Sequence, residues 1–109
     1  MPVHILGVYP RVVAMTAARD PLLINAFAAA IKSRRATMGW SQEELAWRAG
    51  VDRTFIARLE SCRNQPSLSV VFALAEALKV SSATLMSDTQ CRFEIEQASR
   101  ADSKHSAAE

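Results

Sequence analysis

The stretch Gln42-Glu-Glu-Leu-Ala-Trp-Arg-Ala-Gly50-Val-Asp-Arg-Thr-Phe-Ile-Ala-Arg-Leu-Glu-Ser61 decides the fold. Ser41, just before it, offers a side-chain acceptor to the free backbone amides of a helix start. Glu44, three residues on, completes a capping box, so a helix is predicted from Gln42 through Ala49. Gly50 can adopt the left-handed backbone that closes such a helix. Asp52 then caps a second helix, from Arg53 to about Glu60. Two helices that cross steeply through a tight turn need a small residue where they touch, and Ala46 supplies it. Leu45, Ala49, Val51, Ile56 and Leu59 recur at spacings that point them inward from two short helices. Cap, turn and core positions agree with one another, which favours a helix-turn-helix over a plain helical hairpin.

Working outward, Asp20-Pro21 is a helix entrance, an acceptor at the cap followed by proline in the first turn. The helix it opens runs to about Met38, with an apolar stripe of Leu23, Phe27, Ala30, Ile31 and Met38, and Gly39 ends it. Beyond the central pair, a loop runs through Pro66. Ser67 or Ser69 opens a fourth helix whose stripe is Val70/Val71, Leu74, Ala75 and Leu78, and Ser82 to Met86 makes a short fifth. After Asp88, Cys91, Phe93 and Ile95 alternate with charged residues, which reads equally as one short strand or as a frayed tail. From Gln97 onward nothing can be buried, and the segment reads as disordered. Residues 1–20 show no helical period and read as an extension. The expected organisation is therefore an all-α domain over 21–87, an N-terminal extension over 1–20 and a partly disordered C-terminal tail over 88–109.

Half of the 109 residues are apolar, enough for one ordinary core. The net charge of +2 hides an asymmetry: residues 22–86 carry eight Lys/Arg against five acids, while 87–109 carry three bases against five acids. A polyanion is drawn to the middle of the chain. Cys62 and Cys91 form no C-x-x-C pair, and His4 and His105 lie near opposite ends, so neither a metal site nor a disulfide scaffold is expected. Reduced thiols fit a cytoplasmic protein. The start, Met1 to Met15, lacks a basic n-region and is interrupted by Pro2, Gly7, Pro10 and Arg11, unlike a signal peptide, and no run reaches transmembrane length.

Residues 27–86 resemble the lambda-repressor-like, or Xre, family of bacterial and phage regulators. The resemblance is carried by Trp40-Ser-Gln-Glu-Glu-Leu-Ala46, Gly50-Val-Asp-Arg-Thr-Phe-Ile56, Leu59-Glu60, Arg63-Asn64, Pro66-Ser-Leu68 and Ala75-Glu-Ala-Leu-Lys-Val80. The Asp-Arg-Thr-Phe-Ile string also resembles the controller proteins of restriction-modification systems, although it occurs in general Xre regulators too. Such a resemblance implies five helices, with the third lying in the major groove of double-stranded DNA.

Ile56 and Leu59 face inward on the third helix, which leaves Arg53, Thr54, Ala57 and Arg58 toward solvent. The family's matching positions face the groove, so Arg53, Thr54 and Arg58 are the expected base contacts; a guanidinium can bond guanine O6 and N7 with both prongs. Phe55 packs in the core or covers a thymine methyl. The family places Gln42 against a phosphate, and Ser61, Arg63 and Asn64 are expected on the other flank of the backbone. Counting back four from Gly39, the family's recurrent arginine falls on Arg35 and its acidic partner on Glu60, which implies a buried ion pair. Cys62 stands where the family often has glycine, implying a different turn or a strained backbone.

One reader helix covers too little DNA for useful selectivity, so the expected species is a homodimer on a palindrome, with Val80, Leu85 and Met86 as interface candidates. The same residues could instead simply seal the core. A rival reading is an antitoxin-like or accessory protein that binds a toxin or other protein as well as DNA. No Ser/His/Asp, Cys/His, paired-carboxylate or phosphate-loop arrangement is present, so neither an enzyme nor a cofactor is expected.

Overall fold

The computed structural model describes residues 19–108, all of whose regular structure is helical. The 1–20 extension therefore lies outside the described residues, apart from its last two positions. Five helices follow in order: α1 Pro21–Met38, α2 Gln42–Ala49, α3 Arg53–Glu60, α4 Leu68–Ala77 and α5 Ser82–Ala108.

Local chemistry sets the helix ends. Asp20 Oδ1 accepts from the Leu22 amide at 3.1 Å, and Gly39 closes α1 in the left-handed region at φ 75°. Ser41 Oγ accepts from the Glu44 amide at 3.0 Å. Only that half of the expected capping box forms, because the Glu44 carboxylate takes Arg48 Nε at 2.7 Å. Gly50 ends α2 at φ 72°, as its lack of a Cβ permits. Asp52 holds the cap position of α3 through its carbonyl, which accepts from Phe55 and Ile56 at 3.0 and 3.2 Å; its side chain makes no cap bond. Ser67, rather than Ser69, caps α4, accepting from the Val70 amide at 3.2 Å.

Ile31, Leu45, Ile56, Leu59, Leu74 and Leu85 are wholly buried, so every helix contributes to one core. Burying a side chain of this size is worth about 1.5–3 kcal/mol. Met38, Ala49, Val51, Phe55 and Val80 pack against that core while partly exposed. On α1 the buried register is Ile24 and Phe27; Leu23, expected in the stripe, is 43% exposed.

The C-terminal expectation needs correction. There is no break near residue 87 and no strand at Cys91–Ile95: α5 runs unbroken to Ala108, past Gln97, where disorder was expected. Its covered positions include Leu85, Thr89, Arg92, Phe93 and Glu96, a helical spacing masked in the sequence because polar residues stand among the apolar Leu85 and Phe93. Thr89 is buried with its hydroxyl satisfied by the Leu85 carbonyl at 2.9 Å. Asp88 bridges α5 to α1 through Arg34 Nε at 3.3 Å and also accepts from Arg92 Nε at 2.8 Å. Ala26 and Ala29 line the seam with Arg92, Ile95 and Glu96.

Candidate nucleic-acid interface

The inward positions of α3 are taken by Ile56 and Leu59, with Phe55 and Ala57 half-buried beside them. Arg53, Thr54 and Arg58 are exposed together on the outer surface of this eight-residue helix. Phe55 packs against the fringe of the core while partly exposed.

Behind α3, Arg35 and Glu60 meet in a forked pair: Nε to Oε2 at 2.7 Å and Nη2 to Oε1 at 2.8 Å. The third arm of the guanidinium, Nη1, donates to the Trp40 carbonyl at 2.8 Å. The Glu60 side chain is 3% exposed and the Arg35 side chain 16%. Burial alone pushes the Glu60 carboxyl up. Hydrogen bonds from Arg35 and then Gln42, with the positive charges of Arg35 and Lys32, outweigh it and hold the group below its usual range. The hydrogen bond to Glu60 likewise raises the Arg35 guanidinium against the opposing effect of burial.

Gln42, the first residue of α2, donates from Nε2 to Glu60 Oε1 at 2.9 Å. Its side chain therefore lies at the carboxyl end of α3, where Ser61 is the next residue. Two residues expected on opposite flanks are brought near one end of α3. Ser61 Oγ donates to the Arg58 carbonyl at 3.2 Å, Arg63 is exposed, and Asn64 is half-buried.

Cys62 adopts φ 66°, the left-handed conformation that the usual glycine would take at less cost. The turn is thus kept and the backbone strained: the Cys62 amide reaches the Leu59 carbonyl at 3.1 Å and the Arg63 amide reaches Arg58 at 2.8 Å. The thiol donates to Asn25 Oδ1 on α1 at 3.3 Å.

Of the three dimer candidates, Leu85 is corrected. It is wholly buried within its own protomer, because α5 needs an apolar side chain against the core where it starts, so it offers no surface to a second chain. Met86 is exposed and Val80 half-buried. Three exposed apolar residues escaped the sequence reading: Trp47 on α2, and Leu68 and Phe72 on α4. Leu68 and Phe72 are four apart and off the α4 stripe, which was the available signal.

The helix-turn-helix family profile matches residues 31–85, half of the chain, and the chain belongs to this family, in its Xre-type form. A "hypothetical transcription factor" of Neisseria meningitidis is 39% identical over 61 residues, covering 56% of this chain and 58% of the relative. The chain thus spans little more than half the length of that curated relative. The structure of the clp gene regulator ClgR from Corynebacterium glutamicum superposes with a TM-score of 0.71 at 27% identity, covering 79% of this chain and 92% of that one. The restriction-modification controller C.AhdI from Aeromonas hydrophila gives 0.55 at 31% identity, covering 57% and 94%. A second controller, C.Esp1396I, solved as a tetramer with its 35-base-pair operator, shares the fold with a TM-score of 0.62 at 24% identity, over 65% of this chain and 93% of that one. These relatives are described as a transcription factor, a gene regulator and restriction-modification controllers. No single helix among the described residues is long and apolar enough to cross a membrane.

Proposed function

We propose that this protein is a sequence-specific transcriptional regulator of the cytoplasm that binds palindromic operator DNA as a homodimer, with α3 in the major groove. The observation that carries the reading is the outer surface of α3, where Arg53, Thr54 and Arg58 stand free of the core on a helix clamped from behind by Arg35 and Glu60. Arg53 and Arg58 have the donor geometry to read guanine, and Thr54 can serve either partner of a base pair. The regulators and controllers among its structural relatives, one of them seated on its operator, support the same reading.

Gln42 and the loop of Ser61, Arg63 and Asn64 position the helix on the phosphates without reading sequence. The Gln42 amide nitrogen carries two protons. With one engaged by Glu60, the other remains to meet a phosphate oxygen. Two copies joined through a face that includes Val80 and Met86 set their α3 helices about 34 Å apart, one turn of DNA.

A gel shift on the DNA upstream of its own gene, at two salt concentrations, tests the reading. Binding that weakens with salt yet survives excess unrelated DNA is the expected outcome. Equal competition by any sequence would sink it.

A further inference from the structure

Asp52 precedes α3 with a carboxylate that α3 does not use. Aspartate is among the strongest side-chain caps, because its oxygens can accept from the free amides of a first turn. Ser41 and Ser67 do this for α2 and α4. At Asp52 the backbone carbonyl takes the Phe55 and Ile56 amides instead, and the side chain makes no cap bond. The residue is exposed, as are Arg53 and Thr54 directly after it, and its carboxylate enters no ion pair among the described residues. Between Gly50 and Asn64 the one other acid is Glu60, which Arg35 takes inward. Asp52 is thus the carboxylate left facing out of this segment, beside Arg53, Arg58 and Arg63.

An acid in that place works against association with DNA. Each phosphate it approaches is negative, so the carboxylate weakens binding to any sequence unless it meets a hydrogen-bond donor. The donors in the major groove are the amino groups of cytosine, N4, and of adenine, N6. Adenine sets its N7 acceptor beside N6, where it repels the second carboxylate oxygen. Cytosine presents no acceptor there.

We infer that Asp52 is a specificity-determining residue that accepts from cytosine N4 at one position of each half-site, beside the bases met by Arg53 and Thr54. The inference rests on the reading of α3 as the helix in the major groove, and it names a base for that helix to select. Reader helices present their amino-terminal residues to base edges, and Asp52 stands at that end. Asp52 and Thr54 are both short, so one depth of insertion brings both to the bases while the longer Arg53 and Arg58 reach farther. The carboxylate then does more than repel: it penalises every site that lacks cytosine at its position and is matched only at one that has it.

Asp52→Asn provides the test. Asparagine suits a helix cap as well as aspartate does, so the fold is kept, while its amide offers the donor and acceptor that match adenine N7 and N6. The full-length wild type and variant each select duplexes from a randomised DNA library, and circular dichroism checks that both are folded. The wild type is expected to prefer cytosine at one position of each half-site by about tenfold. Asp52→Asn is expected to lose that preference, to favour adenine at the same position and to leave the other positions unchanged. It should also bind unrelated DNA more tightly, since a negative charge is gone. Asp52→Ala should lose the cytosine preference and gain no other. A variant that binds all sequences more tightly but selects the same bases as the wild type makes the carboxylate a repulsive charge alone and overturns the inference. A change confined to a guanine position makes Asp52 a support for Arg53 and overturns it as well. A wild-type chain that enriches no sequence from the library overturns the reading beneath it.

Discussion

Glu60 Oε1 accepts from two directions at once, from Arg35 Nη2 on α1 at 2.8 Å and from Gln42 Nε2 on α2 at 2.9 Å, while Oε2 takes Arg35 Nε at 2.7 Å. One carboxylate at the end of the reader helix thus fixes its angle to both neighbouring helices. Arg35→Ala leaves that nearly inaccessible carboxylate without its counter-charge and is expected to cost about 3–5 kcal/mol of stability. Thermal or urea unfolding measures it, and a loss below 1 kcal/mol would show that the clamp contributes little.

The same carboxylate makes stability fall with acid. Its ordinary value of 4.5 applies to the unfolded chain, and the fold holds it lower. The stabilisation it provides is complete above 4.5 and is lost as pH drops through the lower folded value, where the native state must also take up the proton. Wild-type protein should therefore lose stability more steeply below pH 4.5 than Glu60→Gln, which has no proton to bind there. Parallel acid limbs for the two proteins would contradict the depressed carboxyl.

Readers and anchors on DNA should separate by how they fail. Arg58→Ala should relax selectivity at one base position by about 1–3 kcal/mol, whereas Arg63→Ala should weaken all sequences alike and lower the salt slope by about one. Selection from a randomised operator library, with binding at several salt concentrations, distinguishes them. The reverse pattern would exchange their roles.

Two helix caps that look alike in sequence should differ in weight. Ser41→Ala removes a side-chain bond to the Glu44 amide and should cost about 1 kcal/mol. Asp52→Ala removes no cap bond and should cost only a few tenths, from the helix dipole. Equal losses in denaturant titrations would mean that Asp52 caps α3 in solution.

Cys62→Gly should stabilise the fold by about 1 kcal/mol, because glycine takes φ 66° without the clash a Cβ brings. Loss of the thiol bond to Asn25 offsets part of this. A destabilised variant would give that bond the greater weight.

The central helix pair was legible because Gly50, the cap positions and the apolar spacing all point to one geometry between Ser41 and Glu60. The Arg35–Glu60 pair was reachable only through family resemblance, since nothing local separates Arg35 from its neighbour Arg34, which in the structure turns to Asp88. What the sequence concealed was α5, whose covered side mixes Leu85 and Phe93 with Thr89, Arg92 and Glu96, polar side chains that dilute the apolar period. On α1 the expected stripe holds at Phe27, Ala30 and Ile31, and only Leu23, in the first turn, stands exposed while its neighbour Ile24 is buried. Phe72 was passed over for another reason: an apolar residue in an apolar helix attracts no notice until its exposure is seen.

The unbroken course of α5 also bears on how the protein can be dissected. A fragment trimmed to the family-matched residues 31–85 would lack Pro21 to Ala30, and with them the Asp20 cap, Ile24 and Phe27. It would also lose every residue of α5 past Leu85, including Thr89 and the Asp88 bridge to Arg34. Such a piece retains the reader yet forfeits one wall of the core, so the smallest independently stable unit should begin near Arg19 and reach at least to Glu96. Limited proteolysis should accordingly yield a resistant core longer than the family-matched module itself.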